Sequence, residues 1–119
     1  MLAAAARLRR RDDFTAVLRT AARSSRGPLV VHVKMQPNGL GSAAPTRAGF
    51  VVGRSVGNAV IRNRTRRRLR HLVRARLGSL PVGSTVVVRA LPGSAALTSA
   101  ALGGFLDAAL SRLVKVSSA

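Results

Sequence analysis

The chain has 119 residues, of which 21 are Lys or Arg and only 3 are Asp or Glu, giving a net charge of +18. That length bounds it to one domain, expected over residues 1–119 with a single modest core, and the charge exceeds what solubility asks for, so a polyanionic partner is expected to relieve the self-repulsion. The absence of cysteine excludes disulfides, thiolate metal sites and a cysteine nucleophile, and the apolar run Leu2 to Ala6 is too short for a signal-peptide core, so the cytoplasm is expected and a membrane span is not.

Asp12 or Asp13 can cap a helix in which Phe14, Val17, Leu18 and Ala21 recur at helical spacing. Ser24 to Pro28 reads as a break. Leu29 to Met35 reads as a strand from its β-branched content, and Pro37 to Pro45, rich in Gly, Ser and Ala, as a flexible loop. Arg47 to Val52 is the next strand. Gly53 to Gly57 then turns the chain into an arginine-rich helix with Asn58 as N-cap, stopped by Gly78 and Pro81 after about Leu77. Thr85 to Ala90 is a buried strand ended by Pro92 and Gly93. From about Thr98, Leu102, Phe105, Leu106, Ala109, Leu110 and Leu113 mark a closing amphipathic helix, despite the cost of adjacent Gly103 and Gly104. Residues 116–119 are expected to fray. Strands interleaved with helices around one sheet describe a small two-layer α/β sandwich of the α+β kind.

The arginine helix carries the chemistry. At about 100° per residue, Ile61, Thr65, Leu69, Leu72 and Val73 fall on one arc, while Arg64, Arg66, Arg67, Arg70 and Arg74 crowd the other side and Arg62 lies near the boundary. One face can dock on a core while the other presents guanidiniums, each able to make paired hydrogen bonds to a phosphate. A solvated helix face ordinarily mixes signs; here no acid falls between Asp13 and Asp107. RNA is therefore the expected partner.

Catalysis by the chain itself is poorly provided for. Phosphodiester hydrolysis needs clustered carboxylates for divalent metals or paired histidines, and this sequence has Asp12, Asp13, Asp107, His32 and His71. Asp12 and Asp13 read as helix caps, Asp107 as a solvated position in the last helix, and His71 as a polar or supplementary phosphate-contacting residue. His32 lies in a strand, whose face can stack bases. The three phenylalanines are too few for a sequence-reading sheet of stacking platforms.

The run from Phe50 to Arg70, above all Gly57-Asn58-Ala59-Val60 followed by Arg62-Asn63-Arg64-Thr65-Arg66-Arg67 and Arg70, resembles the bacterial ribonuclease P protein subunit. The likeness extends over almost the whole chain, from Leu8, an acid and Phe14 to Arg89-Ala90 and the terminal helix. It implies a small central mixed sheet with the arginine helix in a left-handed βαβ crossover, flanked by N- and C-terminal helices, and one further short strand within about residues 22–27. It implies a ribonucleoprotein that removes the 5′ leader of precursor tRNA, in which the RNA is the catalyst, Mg²⁺ is bound mainly by that RNA and the substrate, and one protein joins one catalytic RNA. The protein alone would be inactive and hold no metal.

Transferred by position, Arg62, Asn63, Arg64, Arg66, Arg67 and Arg70 would face the catalytic RNA. Phe14, Leu18, His32, Arg54 and Arg89 would line the cleft for the leader. Leu18 and His32 stand where relatives often carry aromatic rings, and Gly53 and Ser55 where they often carry lysine. A ribosomal or architectural RNA-binding protein is the competing reading of so basic a chain, and a metal-dependent nuclease acting alone is opposed by the missing carboxylates.

Overall fold

The computed structural model describes residues 22–34, 46–80 and 83–118. The helix expected after Asp12 and Asp13, and the loop expected between Pro37 and Pro45, fall outside those residues. Four strands, β1 (Ala22–Arg26), β2 (Leu29–Lys34), β3 (Arg47–Val52) and β4 (Thr85–Ala90), form one sheet in the order β1-β2-β4-β3. The β1–β2 and β2–β4 pairs are antiparallel and β3–β4 is parallel, so the sheet is mixed. Helix α1 (Ala59–Arg74) links the two parallel strands, and α2 (Ser99–Ser118) closes the chain. Short 3₁₀ turns lie at Arg54–Val56, Leu77–Ser79 and Ser94–Ala96. This is the expected small α/β sandwich.

Strand alternation sorts the residues into two faces. Leu29, Val31 and Val33 of β2 share one face with their register partners Ala90, Val88 and Val86 of β4, and through β4 with Val52, Phe50 and Ala48 of β3. Onto that face pack Leu69 and Val73 of α1 and Leu102, Leu106, Leu110 and Leu113 of α2, forming one hydrophobic cluster. Helix α1 lies against β3, and α2 against β1 and β2. Each fully buried Leu or Val contributes roughly 1.5–3 kcal/mol, so this layer, rather than ion pairs on a chain so short of acids, offsets the charge repulsion. The other face carries Arg23, Val30, His32, Lys34, Arg47, Thr85, Val87 and Arg89, of which Val30, His32, Thr85 and Val87 are buried.

The segment that reads locally as a break is instead β1, the further strand that the family resemblance implies. Ala22–Arg26 has no β-branched residue, so nothing in its own composition marks it. Its register with β2 from Ala22↔Val33 to Arg26↔Leu29 supplies the strand, and Gly27-Pro28 make the two-residue turn. Gly27 has φ +54°, and a Cβ there would stand 2.7 Å from the Phe105 ring. Glycine is required on both counts.

Both helices begin where the sequence places them, α1 behind the expected Asn58 cap and α2 beside Thr98. Asn58 is extended, and its Oδ1 accepts a 2.9 Å hydrogen bond from the Ile61 amide. Thr98 Oγ1 accepts one of 3.1 Å from the Ala101 amide. Helix α1 ends at Arg74, sooner than the sequence suggests, and the chain continues through a turn into the 3₁₀ segment at Leu77–Ser79. Of the two glycines in α2, Gly103 is buried, with room for a Cβ only at 3.0 Å from Arg76 Nη2, whereas Gly104 is exposed and a Cβ there would meet nothing within 4 Å.

Candidate nucleic-acid interface

The orientation of α1 is set by its apolar arc. Thr65, Leu69 and Val73 are buried, and Thr65 returns its hydroxyl to the Ile61 carbonyl at 2.9 Å, so the one polar residue of the arc is satisfied within the helix. With that arc on the sheet, Asn63, Arg66, Arg67, Arg70 and His71 fall on an outward stripe at i, i+3, i+4, i+7 and i+8. They line a recess of about 610 Å³. Arg64 and Arg67 are exposed, and Arg62, Arg66 and Arg70 half-buried. Arg62 keeps a buried Nε with no hydrogen-bond partner among the described residues.

Asn63 has a definite part in the stripe. Its Oδ1 accepts from Arg66 Nη1 at 2.9 Å, one turn along, which fixes the Arg66 guanidinium while leaving the amide group of Asn63 to donate outward. Two other arginines of the run turn away. Arg68 Nη1 donates to the Leu97 carbonyl at 3.2 Å, and Arg76 donates to Leu72 O at 2.8 Å and, through Nη2, to Asp107 Oδ2 at 3.1 Å. A second Arg76–Asp107 bond runs from Nε to Oδ1. Asp107 is therefore not merely solvated, as the sequence suggests: it clasps α2 to the end of α1. The bonded Arg76 guanidinium holds its carboxyl below the ordinary aspartate range.

The far face of the sheet is the second basic surface. Arg89 is half-buried in the middle of the sheet, opposite Val30 on β2 and Val51 on β3, and Arg23 on β1 is paired with His32. His32 is on this face, but it is 2 % exposed, so its ring lies beneath the surface instead of offering a plane for stacking. Among the described residues neither ring nitrogen has a hydrogen-bond partner. Burial, and then the charges of Arg89 and Arg23, lower its pKa and keep it neutral. Arg54 is exposed in the 3₁₀ turn just after β3. Phe14 and Leu18 lie outside the described residues.

Two cationic residues of these surfaces, Arg23 and Arg47, escape the sequence reading as contacts. Arg23 is hidden by the misread strand β1. Arg47 could have been placed by its alternation with Gly49 and Val51, whereas His71, read from the sequence as a polar or supplementary phosphate-contacting residue, lines the recess with Arg67. Among the described residues no group of three or more His, Cys, Asp or Glu comes together, and no helix is long and apolar enough to cross a membrane.

Comparison with known proteins agrees with this construction. Residues 2–114 match the Ribonuclease P family model. The chain is 54 % identical over 118 residues to the ribonuclease P protein component of Streptomyces bikiniensis, covering 96 % of each, and 52 % identical to that of Salinispora tropica, covering 92 % of this chain and 91 % of the relative. The Thermotoga maritima RNase P protein superposes with a TM-score of 0.72 at 26 % identity, over 92 % of this chain and 96 % of that one. The Staphylococcus aureus RNase P protein superposes with a TM-score of 0.74 over 94 % of each chain at 19 % identity, a likeness of fold. An arginine stripe held outward by α1, on a chain that matches its relatives nearly end to end, has one family in which to stand: the chain belongs to the ribonuclease P protein family, the protein component of a tRNA-processing endoribonuclease complex.

Proposed function

We propose that this chain binds ribonuclease P RNA through Arg62, Asn63, Arg64, Arg66, Arg67 and Arg70 and holds the 5′ leader of precursor tRNA against the far sheet face, so assisting Mg²⁺-dependent release of the leader and formation of the mature 5′ end. The observation that carries this reading is the outward stripe of α1, where the guanidiniums of Arg66, Arg67 and Arg70 line one recess together with Asn63 and His71. Paired N–H donors suit phosphate oxygens, and the Asn63–Arg66 bond holds one such donor set in place before RNA arrives.

The RNA is the catalyst in this reading, and the protein alone is inactive. The described residues do not suit a protein-held Mg²⁺, because Asp107 is the one carboxylate side chain among them and is bonded to Arg76. The metal belongs to the RNA and the substrate. The complex contains one protein per catalytic RNA and works in the cytoplasm. Arg54 and Arg89 contact leader phosphates, Phe14 and Leu18 give the leader apolar surface, and the neutral, buried His32 supports the sheet face under Arg89 and Arg23.

The test is reconstitution. Added to ribonuclease P RNA at low Mg²⁺, the protein should restore cleavage of precursor tRNA, and without RNA it should cleave nothing; failure of the first or activity in the second overturns the reading. The leader contacts are tested separately: Phe14→Ala and Arg89→Ala should weaken binding of precursor tRNA and leave mature tRNA, which lacks the leader, nearly unaffected. Stacking is worth ~1–3 kcal/mol per base, so the selective loss from Phe14→Ala should be roughly fivefold or more.

A further inference from the structure

Beside the recess on the outward stripe, α1 borders a second one of about 230 Å³, lined by Arg67, Arg68, His71, Leu72 and Ser99. The two recesses share Arg67 and His71, which are four residues apart on the helix, so those side chains make a ridge with a hollow on each flank. The hollows differ in chemistry. Among the described residues the first is bounded by Asn63, Arg66 and Arg70 beyond the ridge, all with polar side chains; the second has Leu72 and Arg68, both half-buried, with Ser99 at the start of α2. Arg68 is not a loose cation, because its Nη1 bond to the Leu97 carbonyl ties its guanidinium to the turn leading into α2.

We propose that the second recess receives one unpaired base of the RNA that α1 grips, an inference that rests on the RNA-binding reading above. A leucine side chain and a restrained guanidinium plane are surfaces on which a base can lie, and the exposed Arg67 and His71 on the ridge stand where the phosphate of the same nucleotide would sit. The volume is below the ~300 Å³ at which pockets for drug-sized molecules begin, which suits a single ring system. A duplex cannot deliver a base into such a hollow, so the recess selects an unpaired nucleotide and fixes the register of the RNA on the helix, where phosphate contacts alone would let it slide.

The chain has no cysteine, so Ser99→Cys and Asn63→Cys can each carry a single azidophenacyl photo-crosslinker. With ribonuclease P RNA from the same genome, the Ser99 probe should crosslink one unpaired nucleotide or two adjacent ones. Ser99→Trp, an exposed substitution whose ring would occupy the hollow, should weaken RNA binding roughly fivefold or more while leaving the salt dependence of affinity unchanged, since a base and not a phosphate is displaced. Crosslinks confined to paired nucleotides, wild-type affinity for Ser99→Trp, or a loss accompanied by a shallower salt dependence would each overturn the base assignment. Crosslinking from Asn63→Cys but not from Ser99→Cys sinks this inference and leaves the wider reading standing, and silence from both sinks the two together.

Discussion

Arg76 belongs to the same run as Arg64 and Arg67, yet its guanidinium is committed to Asp107 and the Leu72 carbonyl, so a count of arginines along the helix overstates the contacts available to RNA. Replacing Arg64 and Arg67 together by alanine should flatten the log–log salt dependence of RNA binding by ~1 to 2, each lost phosphate contact removing roughly 0.7–0.9. Arg76→Ala should leave that slope unchanged and instead lower the unfolding free energy, read from urea titration, by under ~1 kcal/mol because Asp107 remains largely in solvent. Titrations of filter binding against salt separate the two classes. His32 gives the second residue-scale prediction. Its pKa in the fold lies below the ordinary 6.5, so the unfolded chain binds the proton more readily. Stability contributed by the neutral ring is complete above that ordinary value and is lost as pH falls from it toward the depressed one. Urea midpoints should drop between about pH 7 and pH 5, and His32→Phe should remove much of that drop; an equal drop in the variant would show that the acid sensitivity lies elsewhere.

Within α2, Gly103 and Gly104 look alike in sequence and have opposite surroundings. Gly104→Ala should stabilise the protein by roughly 0.5–1 kcal/mol through helix propensity, because nothing obstructs the added methyl. Gly103→Ala should forfeit that gain, since its Cβ would press on the Arg76 guanidinium that crosses to Asp107. Thermal melts of the two variants make the comparison, and equal shifts would mean that the crossing is not maintained in solution. The same contrast explains what could be read beforehand. Strands β2 and β4 announce themselves through three valines each and β3 through Phe50-Val51-Val52, and α1 because a cap, an apolar arc and a charged arc agree. β1 does not: Arg-Ser-Ser-Arg becomes a strand only through its pairing with β2, and a partner supplied by the fold leaves no mark in the segment's own composition. For the same reason the destinations of Arg68, Arg76 and Asp107 were illegible, as each depends on a residue about thirty positions away. The burial of His32 is likewise a property of the packed sheet and not of the strand that carries it.

Across the whole molecule, the net charge of +18 places folding and binding under one influence. Counterions that screen self-repulsion should raise the thermal midpoint as salt increases, while the same salt weakens RNA binding, so the two curves should run in opposite directions over one titration. A midpoint that fell with salt would mean that specific pairing, not repulsion, dominates. The arginine helix is also fastened to the sheet in a particular way. Chain leaves β3 after Val52, beside Ala90, and re-enters β4 at Thr85, beside Arg47, so the two attachment points of α1 lie at opposite ends of one parallel pair. A pull on the helix from a bound RNA therefore loads β3 and β4 in shear, with every rung of the ladder sharing the force at once. The β1–β2 hairpin, joined at a single end by Gly27-Pro28, would unzip rung by rung under the same tension. The part of the molecule that holds a large and restless polymer is thus moored where mechanical failure requires the whole pairing to give way together.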